Sequence, residues 1–202
     1  MIQVLRALLA HWRNKGQEPT SSLELTGTRV LLRPVEVDDA AQTFAFVSDP
    51  VVTKFLPWQP ASDVETVRAF LDQQRARRSK GESLAFSILL RETGEVIGST
   101  DLMQLRSVAP PTAELGYILA QKHWSKGLMS ESAALTRDYA FRQLKRRLLL
   151  AYADQENVAS CRVLEKLGMK ECGSEWRTVK EQTRLYVRFE LTRECWEEKF
   201  RE

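Results

Sequence analysis

From position 114 to 131 the chain reads Glu-Leu-Gly-Tyr-Ile-Leu-Ala-Gln-Lys-His-Trp-Ser-Lys-Gly-Leu-Met-Ser-Glu, its stretch richest in groups able to do chemistry. The first part is apolar and strand-like, the middle is a short polar loop holding Gly127, and the last part opens a helix. A strand that runs through such a loop straight into a helix leaves backbone N–H groups unpaired at the positive end of the helix dipole. Phosphate binds in such places, and Lys126 adds a mobile positive charge. An ordinary strand–loop–helix turn has the same outline, so the spacing alone leaves both readings open. Neither GxxxxGK(S/T) nor GxGxxG is present, which argues against a P-loop and a dinucleotide site. Metal chemistry has little to draw on. His11 and His123 are the two histidines, and Cys161, Cys172 and Cys195 the three cysteines, with no ligand spacing among them.

The elements that must hold this stretch follow from hydrophobic period and turn signals. Strands are predicted at Thr28 to Pro34, Leu84 to Arg91, Glu95 to Met103, Ala113 to Leu119, Arg146 to Ala153 and Leu185 to Leu191. Asp38 or Asp39 is placed to cap a short helix ending at Val47, and Ser62-Asp63-Val64-Glu65 is a capping-box pattern opening a second helix. Further helices are expected from about Gly127 to Gln143 and from Asn157 to Leu167, the latter stopped by Gly168. One strand–helix–strand crossover spans 113 to 153. The mixture predicts a three-layer α/β arrangement around a mixed sheet.

The chain has 202 residues and a formal net charge of +3, with 43% hydrophobic and 28% charged residues. This suits one domain with a full core, and the charge is too small to argue for a nucleic-acid partner. Arg142 to Arg147 is basic but lacks the interleaved aromatics of a nucleic-acid groove. No apolar run is long enough to cross a bilayer. The odd cysteine count and the absence of a cleavage-site pattern point to free thiols in the cytoplasm. Ile2, Leu5, Leu9 and Trp12 fit an amphipathic helix, and Asn14 to Ser22 a linker. The expected organisation is therefore a 1–22 helix and linker followed by a 23–202 domain. That helix would dock on the domain, form a dimer contact or lie on a membrane surface, and the chain would be a monomer or homodimer.

Several segments together carry a resemblance to a known family. Glu114-Leu115-Gly116-Tyr117 followed by Trp124-Ser125-Lys126-Gly127-Leu128-Met129-Ser130-Glu131 resembles the acyl-CoA motif of the GNAT N-acetyltransferases. The branch resembled includes the ribosomal-protein N-terminal acetyltransferases. Asn157 through Ser160 to Gly168-Met169 is similar to the family's later helix, and Asp49-Pro50 through Leu56-Pro57-Trp58 to its early substrate-side loop. The match covers about residues 25 to 192. It implies a GNAT-like α/β (α+β) fold with a mixed, mostly antiparallel twisted sheet of about six to seven strands.

The resemblance also assigns roles. Acetyl-CoA would be the co-substrate, with no metal, and a primary amine would attack it directly in a ternary complex. Backbone groups of Ile118 and Leu119 would hold the pantetheine arm, and Trp124, Ser125, Lys126, Gly127, Leu128 and Met129 would form the pyrophosphate loop. Glu114 would be the general base, with Asp101 a weaker competitor. A tyrosine that many members use to protonate the leaving thiolate is replaced here by Leu164, so Ser160 takes the role and Asn157 binds pantetheine or a water. Tyr117 is expected to pack or to line the amine site, and Glu131 to be structural. Ser125 stands where glycine is usual, so either its φ is negative or the loop is strained. The acceptor would be a protein N-terminus, or else a small amine such as an antibiotic or polyamine. A catalytically silent acyl-CoA-binding domain is the rival from another class. Loops at 53–62, 106–112 and 173–182 are expected to shape the acceptor site.

Overall fold

The computed structural model describes residues 23–200, so the expected N-terminal helix lies outside the described residues. An eight-stranded sheet forms the middle layer: β1 (Leu25–Thr26), β2 (Val30–Pro34), β3 (Leu84–Leu90), β4 (Val96–Met103), β5 (Thr112–Leu119), β6 (Leu148–Asp154), β7 (Lys170–Val179) and β8 (Gln182–Thr192). Their order is β1-β2-β3-β4-β5-β6-β8-β7, and every pairing is antiparallel except β5 with β6. The parallel pair is the one joined by the 113 to 153 crossover, as a helical connection requires.

Eight strands exceed the expected six to seven for two reasons. β1 is only two residues long, too short to give a periodic signal. Segment 173–182 was expected as a loop, yet it is the end of the β7–β8 hairpin, turning at Lys180 and Glu181 with φ 50° and 64°. β7 is exposed along nearly its whole length, so it shows no apolar alternation to read.

Helices cover both faces. On one lie α1 (Ala40–Val47), α2 (Pro50–Thr53) and α3 (Val64–Ser79). On the other lie α4 (Leu128–Arg142), α5 (Val158–Lys166) and α6 (Arg193–Phe200), which share the main core with Leu115, Leu149, Phe189 and Leu191. The cap of α3 is Asp63, accepting from the Thr66 N–H at 2.7 Å, one residue beyond the Ser62 that the capping-box pattern would use. Asp39 stands at the start of α1 but does not cap it. Its carboxylate instead takes both Arg33 nitrogens at 2.6 and 2.9 Å, the Ser87 hydroxyl at 2.6 Å and the Glu36 N–H. A buried charge with a guanidinium in reach forgoes the cap for the ion pair.

Candidate active site

The parallel pair sets up the site. Its register runs only from Thr112↔Leu148 to Glu114↔Leu150, although β5 continues to Leu119 and β6 to Asp154. Past Glu114 the strands diverge, and β6 keeps its ladder with β8 on its other side. The edge of β5 that faces β6 is therefore unpaired beyond the last rung, a place where an extended amide-bearing chain can add.

At the far end of β5 a short 3-10 turn (Gln121–His123) leads into the loop and α4. Gly127 stands at the helix N-cap in the left-handed region, φ 76°, and no side chain caps the helix. The first amides of α4 are therefore left for a ligand or solvent. Ser125 also has positive φ, 59°, which settles the sequence-level alternative in favour of a strained loop. Leu128 and Met129 point into the main core, Lys126 is exposed, and the Trp124 indole donates to the Leu119 carbonyl at 2.7 Å. That carbonyl is thus already engaged. Ile118 packs on the opposite face with Phe46, Val52, Val96 and Ala120. The loop's departures from regular backbone, and its uncapped helix, fit an anionic ligand.

Glu114 occupies the last rung before the strands part. It accepts from Gln104 Nε2 at 2.5 Å and lines an open cavity of about 420 Å³ with Arg77, Glu82, Met103, Arg106 and Ser107. Burial pushes its pKa up, against the lowering effects of the Arg177 charge and the Gln104 bond. Asp101 pairs across β4–β5 with Gly116. A Cβ at Gly116 would lie 3.3 Å from Met103 Cε and 4.0 Å from an Asp101 carboxylate oxygen, so this glycine leaves a notch beside Asp101. Burial raises the Asp101 carboxyl to about 7, moderated only by Arg77.

Across the opening, Asn157 caps α5, its Oδ1 accepting from the Ser160 N–H at 3.1 Å. The Ser160 hydroxyl lies 2.9 Å from the Tyr117 hydroxyl, which also donates to the Ser160 carbonyl at 3.1 Å. Leu164 is buried in the core. A phenol therefore does reach this end of the site, from β5 rather than from the later helix, and burial keeps it protonated. At the hairpin end of the sheet, Lys180 Nζ donates to the Thr53 carbonyl at 2.8 Å, and Arg177 stacks 3.9 Å over the Tyr152 ring. The β7–β8 hairpin tip thus packs on the C-terminal end of α2.

The GNAT acetyltransferase domain matches residues 29–170 of the chain. The protein belongs to the GNAT family. As a GNAT protein it is an acetyl-CoA-dependent acyltransferase. It is 33% identical over 145 residues to the uncharacterized N-acetyltransferase p20 of Bacillus licheniformis, covering 72% of this chain and 81% of that one. Mycobacterium smegmatis RimJ, solved in complex with CoA-disulfide, is 26% identical with a TM-score of 0.73, covering 82% of each chain. The ribosomal-protein-S5-alanine acetyltransferase from Vibrio fischeri superposes with a TM-score of 0.74 over 87% of this chain and 99% of that one. At 16% identity that likeness shows the GNAT fold alone. Among the described residues no helix is long and apolar enough to cross a membrane, and no cluster of three metal-ligating side chains occurs.

Two residues of this GNAT site escaped sequence reasoning. Arg29 lies 97 positions from the loop it touches, and Gln104 is an isolated polar residue after a strand. Neither has a local pattern that would have pointed to the site.

Proposed function

We propose that this GNAT protein moves an acetyl group from acetyl-CoA to a primary amine, with a protein N-terminal α-amine as the acceptor class. The observation that carries this reading is the opening between β5 and β6, with Glu114 on the last shared rung and the Gly127-capped helix at the end of β5. Resemblance of the Glu114–Glu131 and Asn157–Met169 segments to the ribosomal-protein branch supports the acceptor class.

In this reading the amide edge of β5 around Ile118 and Leu119 takes the pantetheine arm, and the amides of 124–129 take the pyrophosphate. The acceptor nitrogen attacks the thioester carbonyl carbon directly. As the C–N bond forms, the amine proton passes to Glu114, through water if the two do not touch. As the C–S bond breaks, the leaving sulfur takes a proton from the Ser160 hydroxyl, which solvent then reprotonates, while the Tyr117 hydroxyl holds the serine in place. The Asn157 Oδ1 serves Ser160 by capping its helix, leaving the side-chain Nδ2 for pantetheine or water.

Asp101 gives a second reading for the base, favoured by the Gly116 notch and by a pKa near the operating pH. A panel of peptides beginning with Ala or Ser, polyamines and aminoglycosides, assayed for free-thiol release with acetyl-CoA, tests the acceptor. Turnover of peptides alone supports the proposal. Preferred turnover of small amines would replace the acceptor class, and CoA binding without thiol release would favour the silent acyl-CoA-binding domain.

A further inference from the structure

The turn between β1 and β2 is locked onto the start of α4. The Arg29 N–H donates to Glu131 Oε1 at 2.7 Å, and Arg29 Nε to Glu131 Oε2 at 2.8 Å. Gly27 makes room for this: a Cβ there would fall 2.7 Å from Glu131 Oε1. The same guanidinium donates through Nη1 to the Lys126 carbonyl at 2.8 Å, and its Nη2 lies 3.5 Å from where a Gly127 Cβ would stand. Burial works against the Glu131 charge, but the Arg29 amide and guanidinium hold its carboxyl below the usual range.

The consequence lies in peptide geometry. Across a trans peptide the C=O and the next N–H point in opposite directions. Holding the Lys126 carbonyl on the Arg29 side therefore turns the Gly127 N–H to the opposite side of the loop. Residues on both flanks of Lys126 have positive φ, Ser125 at 59° and Gly127 at 76°. A non-glycine residue keeps that conformation only where its surroundings over-determine it. Arg29 supplies one such restraint through the Lys126 carbonyl, as the Trp124 indole does through Leu119, and Glu131 fixes Arg29 in turn.

We propose that Arg29 is the positioning residue of the phosphate loop, pinning the Lys126 carbonyl so that the 125–127 backbone presents its amides to the CoA pyrophosphate. This rests on the assignment of 124–129 as the pyrophosphate loop. The role needs a fork with donors in two directions, which lysine lacks.

The test uses the full chain, with CoA as the probe. Calorimetry gives the CoA affinity of wild type, Arg29→Ala, Arg29→Lys and Glu131→Gln. Backbone amide NMR of the free and CoA-bound proteins reads residues 125–127. Arg29→Ala should weaken CoA by about tenfold, as loss of one charge-assisted bond would. Arg29→Lys should weaken it by several-fold despite keeping the charge, and Glu131→Gln by a few-fold. All three should shift the free-state amide signals of 125–127 while leaving those of β5 around Gly116 in place. Wild-type affinity in Arg29→Lys would mean that charge alone acts, and would overturn the proposal. So would unchanged 125–127 signals in the folded variants. Glu131→Gln keeps the question open to measurement should Arg29→Ala fail to fold. CoA that binds wild type without moving the Gly127 amide would instead sink the loop assignment itself.

Discussion

Glu114 and Asp101 are two partly desolvated carboxylates on one face of the sheet, offset by two positions of the β4–β5 register. Acetylating an ammonium removes two N–H protons and returns one to the thiol, so one proton must leave through a base. An N-terminal amine has a pKa near 8, so a fraction is already neutral at pH 7, and a general base contributes roughly 10²–10⁴-fold. Glu114→Gln should therefore lower kcat about 10²-fold at pH 7 with CoA affinity within a few-fold, recovering in part as pH rises. Asp101→Asn separates the two readings. If Glu114 is the base, kcat/KM for the variant keeps the wild-type pH profile. If Asp101 is the base, the ascending limb near pH 7 disappears. At the other end of the opening, Ser160→Ala should slow turnover while leaving CoA affinity within a few-fold. Tyr117→Phe should slow it less, because Ser160 keeps its own hydroxyl. Both are read from steady-state rates beside calorimetric CoA affinity, and normal rates in both would assign the pair to packing.

At the scale of elements, the proposed reading requires the α4 N-terminus and the end of β5 to hold a fixed relation, because in it one takes phosphate and the other the pantetheine arm. Gly127 is the pivot of that relation. Its φ of 76° is strained for any side chain, and a branched one is worst placed to adopt it. Gly127→Val should abolish the rise in thermal midpoint that CoA gives wild type, a rise worth about 2.7 kcal/mol at a hundredfold excess over Kd. A thermal-shift titration checks it, and an undiminished rise in the folded variant would remove this loop from the binding site. The Asn157 cap on α5 has a similar place: it orders the Ser160 turn rather than standing free in the opening.

For the molecule as a whole, the Arg33–Asp39–Ser87 cluster ties β2 and β3 to the start of α1. Burial works against the Asp39 charge, but Arg33, Ser87 and the Glu36 amide together hold its carboxyl below the ordinary 3.8. A lowered folded pKa contributes stability that is present above the unfolded value and is lost as pH falls through the folded one. Asp39→Ala should cost about 3 kcal/mol near neutral pH, because it strands a partly buried guanidinium. Denaturant unfolding should show the difference from wild type shrinking below about pH 4. Asp101 has the opposite sign. Its raised pKa favours the folded state at low pH, and that advantage fades as pH rises from about 4 through 7. Asp101→Asn should therefore gain stability relative to wild type across that window.

The sequence by itself determined the strand–loop–helix order of 114–131, the opening of α3 within Ser62–Glu65, the helix beginning at Asn157 and the strand–helix–strand crossover. Each is a local matter of period, turn residues and a side chain reaching a backbone group three positions away. The GNAT resemblance rests on the same contiguous segments. Tertiary structure alone decided the rest. The exposed β7 joins the sheet through its ladder with β8, and no side-chain pattern announces that. Asp39 turns from helix cap to ion pair because Arg33 and Ser87 arrive from other strands. Tyr117 meets Ser160, and Arg29 the Lys126 carbonyl, across 43 and 97 positions of chain. Such contacts are made by packing two faces of one sheet, and the free energy that selects them belongs to the folded core rather than to any window of residues.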